Sequence, residues 1–249
     1  KKKKMGKEID GKLKQLIDET GSNCSEEDLK ALSQVSVKDL VKLWESIMAG
    51  DSKSRVFEKF KEQAVESMKK REKTKKEQKT YYEEVAKPYV DEERAKLEAI
   101  IDKYGEEQNK RSKQLSKVQE KLRDRKVQGN KPLAEAYSKE RTAVKKAIET
   151  LRTLNRELVE AKEHLEELEK EEKELSSQHD DMKIRRLKAR RDKYKESYMK
   201  KIKEYEAFIK NDVEDAEAEV KNATKKRIMV EQGKFDGVDT KNGGIDGLE

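Results

Sequence analysis

The side chains that most often carry enzyme chemistry are sparse in this sequence and are not grouped. His164 and His179 are the only histidines, and Cys24 is the only cysteine. The histidines lack partners at the spacing of a metal site, and neither lies near the cysteine along the chain. No glycine-rich phosphate loop, catalytic triad motif or metalloprotease motif occurs. We therefore expect no enzymatic activity, no catalytic residue, no metal and no cofactor.

Positive charge is the one chemical feature that the sequence concentrates. A first basic block lies within residues 69–79 and a second within residues 183–203. Such blocks favour an acidic partner, which is either nucleic acid or an acidic protein surface. Aromatic residues interleaved within the blocks are limited to Tyr194 and Tyr198, too few to choose between these partners. The predicted partner-binding residues are Lys69, Lys70, Arg71, Lys73, Lys75, Lys76, Lys183, Arg185, Arg186, Lys188, Arg190 and Arg191.

For most of these residues a solvated helix face is the simpler interpretation. The second block follows an acidic stretch at residues 157–175, so the charge along this part of the chain is polarised. If the chain folds into a hairpin, the first block lies opposite residues 183–191. Like charges placed side by side repel each other, and an acidic partner would offset that repulsion. Otherwise the register of the hairpin slips or its arms separate.

Composition favours long helices over a compact globular core. Of the 249 residues, 46% are charged and 32% are hydrophobic. An ordinary domain has about a quarter charged and nearly half apolar residues. Proline occurs only twice, so few residues interrupt a helix. The net charge of +7 is small beside 61 basic and 54 acidic side chains and does not require an acidic partner.

Apolar residues at steps of three and four predict one amphipathic helix over residues 133–210. Its apolar seam consists of Leu133, Tyr137, Val144, Ile148, Leu151, Leu158, Ala161, Leu165, Leu168, Leu175 and Met182. A single seam cannot be buried alone, so this helix needs a partner helix. Asn155 lies near the seam, where a buried asparagine would fix the register of a coiled coil, unless it faces solvent.

A turn is predicted at residues 128–132, where Gly129 and Asn130 tolerate left-handed backbone and Pro132 suits the start of a helix. Folding the chain there brings Leu115 near Ala147, so apolar residues meet apolar residues. The sequence therefore predicts an all-α protein, an elongated antiparallel coiled-coil hairpin stalk.

The first arm of the stalk spans residues 53–127, with a kink near residue 88 caused by Pro88. The second arm spans residues 133–210. If the same fold continues towards the chain ends, it places residues 56–60 beside residues 198–205.

The two ends of the chain carry other patterns. Residues 1–52 predict a small helical head, because Ser25 and Ser36 resemble helix caps and apolar residues follow them, with Trp44 as a core residue. Residues 211–231 predict a weak helical extension, and residues 232–249 predict a flexible tail. Apolar residues of the tail that are expected to dock in a partner are Phe235, Val238, Ile245 and Leu248.

The leading hypothesis is a non-enzymatic structural scaffold or spacer that binds other proteins within a larger assembly. The alternative is a nucleic-acid or ribonucleoprotein binding factor that uses the two basic blocks. Self-association is also open. No apolar run approaches the ~20 residues of a transmembrane helix, and the lone cysteine favours a reducing, intracellular compartment. The organelle is unknown, and a removed presequence stays possible because the chain begins with Lys1.

Overall fold

The computed structural model describes residues 11–235 and 238–239. In this part of the chain the protein is helical apart from one short β ladder, which confirms the predicted all-α fold class. The helices are α1 (Gly11–Thr20), α2 (Glu26–Leu32), α3 (Val37–Met48), α4 (Lys53–Tyr81), α5 (Lys87–Arg123), α6 (Arg125–Gln128), α7 (Lys131–Ser176), α8 (Asp181–Phe208) and α9 (Glu214–Glu231). Strand β1 (Lys234–Phe235) pairs antiparallel with β2 (Val238–Asp239). Among the described helices, none combines the length and the hydrophobicity of a membrane-spanning segment.

The chain forms two compact units. Among the described residues, the first unit comprises 11–84 and 173–187, and the second comprises 85–172, 188–235 and 238–239. Two π-helical turns join neighbouring helices without a break, Tyr82–Ala86 between α4 and α5 and Ile209–Val213 between α8 and α9.

The first unit contains the predicted helical head. Its apolar cluster is Leu13, Leu16, Ala31, Leu32, Leu43, Phe57, Ala64 and Met68, so α4 supplies part of the core of α1–α3. Ser25 forms the expected capping box with Asp28, whose backbone N–H donates to the Ser25 hydroxyl at 3.2 Å. Gly50 follows α3 with a φ of 92°, a left-handed conformation that suits glycine at a helix end.

A buried lysine fixes the loop between α1 and α2 against α4. Lys61 donates from Nζ to the carbonyl oxygen of Asn23 at 3.1 Å and to the hydroxyl of Ser22 at 3.2 Å. It also forms an ion pair with Glu58 at 2.8 Å. The hydrogen bond to Glu58 outweighs desolvation and raises the pKa of Lys61, so its charge is retained.

The second unit is a bundle of three helical segments: α5, α7, and α8 with α9. Lys162 on α7 pairs with Glu98 on α5, while Glu140 accepts from Gln114, so α5 and α7 run antiparallel. The predicted hairpin about residues 128–132 is therefore present. The core contains Val90, Leu97, Leu151, Leu154, Leu158, Ala161, Leu165, Leu168, Tyr198, Tyr205 and Val213.

The prediction of one helix over residues 133–210 is wrong, because α7 ends at Ser176 and the chain reverses before α8. Asp180 caps α8, and its Oδ1 accepts from the backbone N–H of Met182 at 2.9 Å and of Lys183 at 3.1 Å. An aspartate in this position satisfies N–H groups that a continuous helix would bond internally. Met182, assigned to the seam from sequence, is 60% exposed.

The expected pairing of residues 56–60 with residues 198–205 is also wrong. Val56 and Phe60 pack on the apolar cluster of the head, whereas Tyr198 and Tyr205 lie in the core of the bundle. The partner that the hairpin model assigned to the first arm is supplied instead by short head helices. Asn155 is exposed and does not set the register.

The predicted helical extension is packed into the bundle as the end of its third segment. Residues 211–231 appeared from sequence as a weak extension, yet Ala216 and Val220 on α9 are buried with Val144, Ala147 and Ile148 of α7. The chain thus covers the α5–α7 hairpin with its own third segment rather than leaving that groove to another molecule.

Near the predicted kink at residue 88, the structure has a π-helical turn at Tyr82–Ala86, with Pro88 in the first turn of α5; the kink itself stays a prediction. Proline lacks a backbone N–H and its ring crowds the carbonyl four residues earlier. A wider π turn just before it accommodates that clash while the chain stays helical.

Candidate partner-binding site

The first basic block lies on α4, and its members differ in how they are paired. Lys69 forms an ion pair with Glu27 at 3.1 Å, and Lys70 with Asp181 at 3.7 Å. Arg71 is half-buried and donates to a backbone carbonyl of the head at 3.3 Å. The remaining members are exposed and form no ion pair within the described residues; they are Lys73, Lys75 and Lys76.

The second basic block is divided by the structure. Its first four members lie on the exposed side of α8 and have no ion-pair partner among the described residues: Lys183, Arg185, Arg186 and Lys188. The last two turn towards α7, where Arg190 pairs with Glu171 at 2.7 Å and Arg191 with Glu172 at 3.5 Å. Arg190 and Arg191 are therefore engaged within the protein.

The structure brings part of the two blocks together in the first unit. The ion pair between Lys70 and Asp181 places the first block beside the first turn of α8, and residues 183–187 belong to the same unit. Lys188, Arg190 and Arg191 belong to the second unit.

The charge polarity along the sequence is explained by internal pairing. The acidic half of α7 faces the basic half of α8, and Lys201 joins Glu160 at 2.7 Å and Glu157 at 3.4 Å. The hydrogen bond from Lys201 to Glu160 raises the pKa of Lys201. The polarity is thus complementarity between neighbouring helices, whereas sequence reasoning considered a solvated helix face or an acidic partner.

Two carboxylates on α7 that pair with α8 have incompletely satisfied hydrogen-bonding groups. Glu171 and Glu172 are buried, and in each the Oε2 atom has no hydrogen-bond partner within the described part of the chain. Burial raises the pKa of Glu172, although the charge of Arg191 opposes the shift.

A buried polar cluster centred on Glu140 joins the three helical segments of the bundle, and we call it the Glu140 network. Glu140 on α7 is 0% exposed and accepts from Arg227 Nε at 2.8 Å, Gln114 Nε2 at 2.8 Å and Thr224 Oγ1 at 3.0 Å. Its partners come from both other helical segments. Burial alone would raise the pKa of Glu140, but these hydrogen bonds outweigh it and hold the pKa below its usual range.

The network continues on both sides of Glu140. Arg111 donates from Nη1 to Gln114 at 2.7 Å and from Nε to Glu217 at 2.9 Å. Tyr137 donates its hydroxyl proton to Glu231, and burial together with that bond raises the pKa of Tyr137 to about 12. Sequence reasoning missed this cluster, although Glu140 sits at seam spacing between Tyr137 and Val144.

The predicted docking residues of the tail are only partly covered by the structure. Phe235 lies in β1 and Val238 in β2, and the structure describes only their backbone. Ile245 and Leu248 lie outside the described residues.

The described residues contain no cluster of three or more histidine, cysteine, aspartate or glutamate side chains that could hold a metal ion. Cys24 is a free, half-buried thiol. Comparison with known proteins finds no family model, no curated protein and no solved structure that matches this chain.

Proposed function

We propose that the chain is a non-enzymatic structural scaffold, a helical spacer that acts within a larger assembly of proteins. The observation that carries the proposal is the Glu140 network. Its central carboxylate bonds to α5 through Gln114 and to α9 through Thr224 and Arg227. A shift of one helix by a single residue would leave a buried charge unpaired, which strongly disfavours other registers. A spacer requires such a fixed register.

The distribution of polar and apolar residues supports the same proposal. The apolar residues of the bundle lie between the three helical segments. The Glu140 network and the ion pairs between α7 and α8 hold these segments in register. Exposed cations on α4 and α8 are then available for contacts with an acidic partner.

The rigidity of the bundle can be measured with spin labels. In a Cys24→Ser background, cysteines replace Lys117 on α5 and Lys200 on α8, both exposed. We expect double electron–electron resonance to give one narrow distribution of distances between the two spin labels, and ionic strength should not change it. A broad distribution, or one that shifts with salt, would contradict a spacer. Crosslinking of the native complex should then join the exposed face of α8 to other proteins, and recovery of the chain without partners contradicts assembly membership.

Nucleic-acid binding is the second candidate function, and it is favoured by the exposed cations of α4 and α8 that form no ion pair among the described residues. A triple variant, Arg185→Glu, Arg186→Glu and Lys188→Glu, removes three of them. Lys221, Lys225 and Lys226 on α9 are also exposed, so reversing them makes a control with the same change in net charge.

Under the nucleic-acid hypothesis, the α8 variant binds duplex RNA or DNA at least about tenfold more weakly than the wild type, with a shallower salt dependence. The α9 control keeps most of its affinity. Equal losses in both variants would indicate net charge alone, and equal affinity in all three proteins would exclude the α8 surface as the binding site.

A further inference from the structure

Helix α3 carries apolar residues on two faces. The inner face packs on the core of the head through Leu40, Leu43 and Ile47. A second line, which we call the outer stripe, consists of Val37, Val41, Trp44 and Met48 at steps of four, three and four. Residues at these steps align along one side of a helix.

The outer stripe is largely uncovered. Val37 is 76% exposed, Val41 48% and Met48 86%, while Trp44 is half-buried against the head cluster. Single exposed apolar residues are ordinary on a protein surface, but a contiguous line along a helix marks a contact site.

The spacing of the outer stripe, four, three and four residues, is the same in both directions along the helix. Its midpoint lies between Val41 and Trp44, so two copies of α3 packed antiparallel place Val41 against Trp44 of the second copy and Val37 against Met48. Each apolar residue thereby meets another apolar residue. A two-fold symmetric contact requires such a self-complementary surface.

The charges beside the outer stripe obey the same symmetry. Lys38 and Glu45 lie on one flank, are exposed, and form no ion pair with any residue that the structure describes. In an antiparallel helix pair equivalent flanks face each other, so Lys38 of each copy approaches Glu45 of the other. The opposite flank, with Leu40 and Ile47, turns towards the core of the head.

We propose that the chain self-associates through the outer stripe of α3, which pairs antiparallel with α3 of a second copy. This inference goes beyond the proposed spacer function and does not depend on it. The contact covers about three helical turns and belongs to the small interface class, so we expect a weak dimer with a dissociation constant on the order of 10–1,000 µM.

A charge exchange tests the pairing directly. Sedimentation equilibrium of the full chain in reducing buffer compares the wild type with Lys38→Glu, Glu45→Lys and the double variant. Each single change turns two attractive pairs into two repulsive pairs and should raise the dimer dissociation constant about tenfold. The double variant restores both pairs and should return to within about threefold of the wild type.

Two further variants make the outcome decisive. Lys42→Glu has the same change in charge as Lys38→Glu but lies away from the flank, and it should leave dimerisation unchanged. Val41→Asp should abolish dimerisation while circular dichroism stays unchanged, because Val41 is half exposed and outside the head core. A chain that stays monomeric at all concentrations, or a double variant that fails to recover, would overturn the proposal; the first result would assign the stripe to a different protein.

Discussion

Arg227 on α9 and Glu140 on α7 lie 87 residues apart in sequence, yet the guanidinium Nε donates to the carboxylate at 2.8 Å. Glu140 has no exposed surface, so water cannot replace this partner if the helices shift. This single relationship joins the last helix of the bundle to the middle one. It also makes the Glu140 network the position where stability and register are most easily tested.

Substitution of Glu140 by glutamine should destabilise the bundle. The amide keeps the shape but leaves the charge of Arg227 without its buried partner, at an expected loss of roughly 2–4 kcal/mol in the free energy of unfolding. Urea denaturation measures the loss. Glu149→Gln is the control, because the ion pair of Glu149 among the described residues is the exposed one with Arg152 at 3.4 Å. It should change stability by less than about 0.5 kcal/mol, and similar losses in both variants would refute the structural role of the network.

The pH dependence of stability should carry the signature of Glu140. Its pKa is lowered in the folded protein, so the unfolded chain binds its proton at higher pH. The stabilisation from this group is therefore present above the unfolded pKa of about 4.3 and is lost as pH falls through the lower, folded pKa. Between pH 5 and pH 3 the difference in unfolding free energy between wild type and Glu140→Gln should shrink. A constant difference would show that folding does not lower the pKa of Glu140.

Glu172 should behave in the opposite way. Burial raises its folded pKa, so ionisation lowers the stability of the folded protein as pH rises through that value. Glu172→Gln replaces a buried charge with a neutral amide and should stabilise the protein at pH 7 by roughly 1 kcal/mol. The gain should disappear near pH 4. Glu174→Gln is the control, because Glu174 is an exposed neighbour. A destabilised Glu172→Gln variant would show that the pairing of Glu172 with Arg191 outweighs the burial penalty.

The hairpin between α5 and α7 can be captured covalently. Leu115 packs on the apolar cluster that contains Ala147, so cysteines at these positions in a Cys24→Ser background should crosslink within one molecule when a short bifunctional reagent is added. Denaturing electrophoresis distinguishes this product from a crosslinked dimer. A pair at Leu115 and Asn155 should not react, since Asn155 is exposed and lies two helical turns further along α7. Dimers formed from the first pair would instead indicate an intermolecular coiled coil.

The π turn at Ile209–Val213 should tolerate a deletion. Core residues there follow at two successive steps of four, Tyr205 to Ile209 and Ile209 to Val213, whereas a regular seam alternates three and four. The wide turn holds the surplus residue. Removing the exposed Asn211 should therefore change the unfolding free energy by less than about 1 kcal/mol.

Deletion of Arg152 serves as the comparison, because α7 has no π turn to absorb it. The rest of α7 would rotate by about 100° and the loss should exceed about 3 kcal/mol. Equal tolerance of both deletions would show that the bundle does not depend on a fixed seam.

The chain reversal between α5 and α7 could be predicted from its residue types. Gly129, Asn130 and Pro132 all favour a reversal over a continuous helix. The second reversal contains no glycine or proline. Its evidence was weaker, an aspartate cap at Asp180 and the change from acidic to basic sequence that the paired helices require. Sequence reasoning took that change as a binding site because a partner and a neighbouring helix offer the same complementary charge.

The buried cluster was harder to foresee for a different reason. Glu140 occupies a seam position, where a charged residue is usually interpreted as an irregularity in the apolar pattern. Its partners Gln114 and Thr224 are remote in sequence, and only the third helical segment brings them close. The outer stripe of α3 was overlooked because its residues also match the pattern of core positions.

Because the chain reverses at Ser177–Gln178 before α8 begins, the two helices that complete the bundle are synthesised last. The α5–α7 hairpin is synthesised before α8 and α9, so Glu140 leaves the ribosome before Arg227. Until then its carboxylate stays hydrated, because burying a carboxylate without a charged partner is strongly unfavourable. The nascent hairpin therefore cannot exclude water from Glu140 early. It packs around this residue only when α9 has emerged.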